Sequence, residues 1–174
     1  AVWAVDRSSG QAWRVAAGGA LGTPRPVNGL DRAAADGDRL WWTTGDGTVL
    51  RDFERTVELG VPARDRGAIT VCAGSVWVSG RDLLMRVGTW GAEKGSVIPA
   101  PGEPLPFLVC SGGVLVGASK TGKLLVLDPS SDADARLVDA SGGGPVGALV
   151  ALGGTAWVFA AEHAEARLIT VRGG

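Results

Sequence analysis

Apolar residues in this chain come in runs of four to six, parted by clusters of Gly, Asp and Ser, and they never hold a 3.6-residue period over three turns. Short strands are predicted instead of helices. The segment with the best helical propensity, residues 160–167, falls between two such runs and reads as a hairpin loop. The runs also repeat. Ala1-Val2-Trp3-Ala4-Val5, Arg39-Leu40-Trp41-Trp42-Thr43, Ser75-Val76-Trp77-Val78-Ser79, Gly113-Val114-Leu115-Val116-Gly117 and Thr155-Ala156-Trp157-Val158-Phe159 align on a central Trp or Leu, at spacings of 38, 36, 38 and 42 residues. Each is followed by a turn cluster and a second apolar run, as in Leu83-Leu84-Met85-Arg86-Val87, which predicts two strands joined by a tight turn. Before the third, fourth and fifth copies stand Ala68-Ile69-Thr70-Val71-Cys72, Phe107-Leu108-Val109-Cys110 and Ala148-Leu149-Val150-Ala151, which add a leading strand. A more polar fourth run closes the unit, as in Thr56-Val57-Glu58-Leu59, Ser96-Val97-Ile98 and Arg136-Leu137-Val138.

Four strands in a unit of 36–42 residues predict an all-β chain, a β-propeller built of four-stranded antiparallel blades. The runs are nearly continuous in apolar character, as expected for strands covered on both faces. About five repeats are visible, the first and last incomplete, in units of about 1–30, 31–66, 67–105, 106–145 and 146–174 of a single propeller domain or arc. The ring is expected to need flanking residues or another chain for closure. Gly74-Ser75-Val76-Trp77-Val78 with Met85-Arg86-Val87, and Leu125-Val126-Leu127-Asp128-Pro129, resemble the blades of bacterial propellers of the streptogramin-lyase-like, surface-layer and NHL-like kind. This resemblance implies the fold; the motif is a packing pattern shared by proteins of many activities.

Composition narrows the partners. Gly supplies 28 of 174 residues without a triplet period, so it marks turns. With 17 basic and 18 acidic residues the net charge is −1, which lacks the positive field of a nucleic-acid binder. No apolar run is long enough for a transmembrane segment or a signal peptide, and Ala1 in the place of Met suggests a segment upstream. Abundant Ala, Gly, Val and Arg with few Lys match a GC-rich, actinobacterial genome.

Candidate chemistry is sparse. Gly117-Ala118-Ser119-Lys120-Thr121-Gly122-Lys123-Leu124 satisfies most of a P-loop, but Leu stands where the magnesium-binding hydroxyl is needed and the segment joins two strands. It reads as a hairpin turn. Cys72 and Cys110 occupy equivalent positions in successive repeats, which leaves open a disulfide or a pair of small buried thiols. His163 is the only histidine. Lyases of the resembled kind use His with acidic residues and a divalent metal, a set that one imidazole does not supply, and no Ser-His-Asp or Cys-His set can be assembled. The Asp36-Gly37-Asp38 and Asp128–Asp134 clusters lack the spacing of a calcium loop and read as turns. Trp3, Trp41, Trp77 and Trp157 fall on the repeat and are assigned to packing. Trp42 and Trp90 fall outside it and, with His163, are the candidates for ligand or partner contact.

The sequence thus predicts a non-enzymatic binding or scaffold propeller, an extracytoplasmic or secreted sensor module of a larger envelope protein, with no cofactor and no metal. Its expected partner is a protein, peptide or small molecule held by loops at one rim. The alternatives are a lyase or hydrolase whose catalytic residues lie outside this chain, and a propeller lectin.

Overall fold

The computed structural model describes residues 2–45, 49–59, 67–81, 83–88, 94–99, 102–130, 135–139, 145–152, 154–161 and 166–170. Every described element is a strand, and every pairing is antiparallel. Five sheets follow in chain order. The first holds β1 (Val2–Asp6), β2 (Gln11–Val15) and β3 (Arg25–Pro26); the second β4 (Leu30–Asp36), β5 (Arg39–Thr44), β6 (Val49–Arg51) and β7 (Thr56–Glu58). The third holds β8 (Ile69–Cys72), β9 (Ser75–Ser79), β10 (Leu83–Gly88) and β11 (Lys94–Pro99). In the fourth are β12 (Phe107–Ser111), β13 (Val114–Ala118), β14 (Lys123–Leu127) and β15 (Arg136–Asp139), and in the fifth β16 (Val146–Leu152), β17 (Thr155–Ala160) and β18 (Ala166–Thr170). Strands pair with their sequence neighbours throughout, so each repeat is an up-and-down meander. The first and last sheets have three strands among the described residues.

The chain forms two compact units, Ala1–Arg64 with the first two sheets and Asp65–Gly174 with the other three. In the second unit β8, β12 and β16, the leading strands of successive sheets, lie side by side. Side chains there alternate between the two faces of a strand, and both faces are covered. Of the wholly buried β13, Leu115 turns toward Trp77, Leu84 and Leu105, while Val116 and Ala118 turn toward Val146, Leu149 and Val158. Both faces of the sheet are therefore core, the physical reason that its sequence shows an unbroken apolar run.

Turn chemistry sets the register. Ala73 and Gly74 join β8 to β9 with φ of 48° and 69°, and Gly112 and Gly113 join β12 to β13 with φ of 58° and 84°. Positive φ at both central residues matches the turn to the right-handed twist of the paired strands. Two strands escape a reading of the sequence. In β4, Leu30-Asp31-Arg32-Ala33-Ala34-Ala35-Asp36, Ala and Asp replace β-branched residues, and the strand forms because it pairs along β5 from Leu30↔Thr44 to Asp36↔Arg39. The two-residue β3 contains Pro26, which a sheet tolerates only at its edge, where β3 lies.

Candidate functional site

The first unit contains a cleft of about 370 Å³ whose walls come from both of its sheets. Arg25 and Pro26 of β3 and Asn28 form one side; Trp42 of β5, Arg51 of β6 and the turn 52–55 form the other. The turn is fixed by its own first side chain. Asp52 Oδ1 accepts the backbone N–H groups of Glu54 (2.7 Å) and Arg55 (2.6 Å), its Oδ2 lies 3.4 Å from Arg55 Nε, and the Asp52 N–H donates to the Arg55 carbonyl at 3.1 Å.

That turn places Phe53 against Trp3 and Trp42, with ring centroids 5.5 and 5.2 Å apart, and Arg25 sits with its Cζ 3.5 Å above the Phe53 ring. The guanidinium is held by the ring quadrupole as well as by its strand. Arg55 answers Asp52, which leaves Arg25 and Arg51 opposed by Glu54 alone, so the cleft carries one net positive charge. Trp42 Nε1 and Arg51 Nε are sealed from solvent without an acceptor among the described residues. Each such orphaned donor costs about 1–3 kcal/mol. A neighbouring recess of about 80 Å³, which adds Asp38, Arg39 and Leu40, shares the Phe53 wall. A larger hollow of about 550 Å³ at residues 14–22 offers a single charged side chain, Arg14, which already pairs with Asp38.

Of the residues singled out by sequence as contact candidates, Trp42 is a buried side chain. It is 4% accessible and packs with Ala12, Val27 and Leu40. The strand is covered on both faces, with Trp41 buried on the opposite side at 1%, so falling outside the repeat position did not mean facing solvent. Trp42 nonetheless forms part of the cleft wall. Trp90 and His163 lie outside the described residues. Cys72, ending β8, is bonded to Cys110 of β12, with S–S 2.08 Å and Cα atoms 5.2 Å apart. The leading strands of neighbouring sheets run close enough there for the bridge.

The P-loop-like segment is a turn between β13 and β14. Its Ser119 N–H donates to the Lys123 carbonyl at 2.9 Å, Ser119 Oγ accepts the Lys123 N–H at 3.1 Å, and Thr121 donates to Glu103. Asp128 accepts both the N–H and the hydroxyl of Ser130, which accounts for the described start of its acidic cluster as a turn. Among the described residues no group of three or more His, Cys, Asp or Glu is placed to hold a metal, and no helix is long and apolar enough to cross a membrane. Sequence reasoning missed Arg25, Arg51 and Phe53. Their one local signal was Asp52-Phe53-Glu54, an aromatic inside a charged turn.

No protein-family model matches the chain, and no curated protein matches it. Solved structures do. The chain is similar to a catalytically inactive His-to-Ala variant of virginiamycin B lyase from Staphylococcus aureus, crystallised with quinupristin: TM-score 0.67, 16% identity, 91% of this chain and 58% of that one. It is similar to the computationally designed Ika4 protein, at TM-score 0.65 and 14% identity over 82% of this chain and 91% of that one. It is also similar to BBS1N in complex with ARL6DN, at TM-score 0.67 and 17% identity over 87% of this chain and 55% of that one. These likenesses establish the fold, a β-propeller like that of the streptogramin lyases. The chain spans less than two thirds of the lyase chain it matches.

Proposed function

We propose that this chain is a non-enzymatic binding segment of an extracytoplasmic propeller, a sensor or scaffold module that holds a small molecule, peptide or protein. The observation that carries the reading is the cleft of the first unit: a preformed recess with an aromatic wall, a turn fixed by Asp52 and cations in excess, which is the furniture of recognition. The reactive side chains of the sequence support it, since both thiols are consumed in one bond and a single His remains. The Cys72–Cys110 bond also supports a location outside the reducing cytoplasm. Propellers as a class serve as protein-binding frames, as the BBS1N complex illustrates for that protein. Thermal unfolding of the whole chain against a panel of small molecules and peptides tests the reading. A ligand that raises Tm in the native chain and fails to do so in Phe53→Ala upholds it; a panel with no stabilising compound defeats it.

A second reading, a lyase-type enzyme with its reacting groups outside this chain, is favoured by the likeness to virginiamycin B lyase over 58% of that chain. Incubating a chain extended by its flanking sequence with quinupristin decides it: chromatographic conversion supports the enzyme, and unchanged quinupristin rejects this substrate.

A further inference from the structure

Resting on the binding reading above, we propose that the cleft of the first unit is a site for a small monocarboxylate, clasped between Arg25 and Arg51. Three observations converge. A guanidinium held over an aromatic ring keeps its N–H donors in its own plane, turned away from the ring, where they match the two oxygens of a carboxylate. Arg25 is so held and makes no ion pair among the described residues. Arg51 supplies the second cation, half-buried in the facing wall. With Arg55 beside Asp52, the cleft therefore holds two guanidinium groups for which Glu54 is the remaining carboxylate.

Charge selects among anions. Arg25 and Arg51 against Glu54 leave one positive charge, which a monoanion neutralises and a phosphate dianion overshoots. Volume selects size. About 370 Å³ lies at the small end of ligand sites and suits one sugar ring or one amino-acid residue. Asn28 adds a neutral amide able to meet a hydroxyl or amide of such a ligand. Carboxylates of this size come as sugar acids and as acidic peptide residues, and the two share the group that the cleft reads.

The test is an NMR titration of the 15N-labelled whole chain, following Arg Nε–H and Trp Nε1–H signals assigned through Arg25→Lys, Arg51→Lys and Trp42→Phe. The probes are D-glucuronate, N-acetyl-L-glutamate α-amide, whose side-chain carboxylate is its one charge, and neutral D-glucose. The expected result is saturable movement of the Arg25 and Arg51 signals by one or both carboxylates, with Kd on the order of 1 mM, and none by glucose. A preference for glucuronate assigns the sugar-acid source and a preference for the glutamate α-amide the peptide source; either upholds the proposal. Arg25→Gln and Arg51→Gln should each weaken binding by about tenfold. Glu54→Gln should tighten it by about threefold, a gain that misfolding does not mimic. Silent Arg signals with both carboxylates, or equal response to glucose, overturn the proposal. If another ligand of the thermal panel still stabilises the chain through Phe53, the binding reading survives and the carboxylate site alone is lost.

Discussion

Asp6 closes the first hairpin with its own side chain. Oδ1 accepts the Ser8 N–H at 2.8 Å and the Ser8 hydroxyl at 2.6 Å, and Oδ2 accepts the Ser9 hydroxyl at 2.7 Å. These bonds, the Ser8 hydroxyl first, favour the ionised form and lower the carboxyl from its ordinary 3.8 to about 2. A lowered folded-state value gives a contribution that is complete above pH 3.8 and is lost as pH falls through about 2. The Ser8 amide resonance is accordingly expected to titrate with a midpoint near 2, and a midpoint near 3.8 would show that the bonds do not form in solution. Buried hydroxyls act similarly inside the second unit. Ser79 Oγ donates to the Leu105 carbonyl at 2.7 Å and accepts the Ala68 N–H at 2.9 Å, tying the segment before β12 to the third sheet. A Cβ on Gly67 would lie 2.2 Å from that oxygen, so this glycine is required by close approach. Single residues were legible where the repeat placed them, as at Trp41 and Trp77, each 1% accessible. The cleft was not, because Arg25 and Phe53 meet only after β3 and the 52–55 turn have formed, and no local pattern joins residues so far apart.

At the level of the hairpin, the repeat becomes a comparison between equivalent turns. Gly112 takes the first central position between β12 and β13 at no steric cost, whereas Ala73 takes it between β8 and β9 at φ 48° with a Cβ in the left-handed region. Ala73→Gly is expected to stabilise the chain by about 1 kcal/mol, read as a higher urea midpoint with unchanged slope. A lower midpoint would mean that chain entropy outweighs the relieved strain. The disulfide joins the strands that precede these same turns, and its partners are 38 residues apart. Closing a loop of that length removes unfolded-state entropy worth about 4 kcal/mol. Reduced protein, or Cys72→Ala with Cys110→Ala, should unfold at lower urea by that margin, and equal midpoints with and without reductant would contradict it. Which residues could bridge was readable from equivalent positions; that they do depends on how closely β8 and β12 approach, a tertiary property. The same limit hid β4, whose alanines become a strand through pairing with β5.

Across the whole chain, strand edges decide how the protein behaves in solution. A sheet edge is a row of unpaired N–H and C=O groups, and propellers keep such rows short by setting blades beside one another. β1 ends its sheet and has no neighbour beyond it among the described residues, and Val2 and Val5 along it are 67% and 36% accessible. Apolar side chains on an open edge invite pairing with another strand, whether from further sequence of the same protein or from a second copy. The likeness to virginiamycin B lyase takes in 91% of this chain and 58% of that one, so that propeller extends beyond the part that this sequence matches. The sequence as it stands is therefore expected to self-associate reversibly, with a sedimentation coefficient that rises with concentration. Replacing Val2 and Val5 by Lys should abolish the rise, because a charge on an edge strand opposes strand addition. If the double variant still associates, the contact lies elsewhere, and the accessible Val150, Leu152 and Phe159 of the fifth sheet become the surface to change next. Should an extended chain that adds flanking sequence stay monomeric without either substitution, β1 is covered from within the same protein, and the open edge belongs to the shorter chain alone.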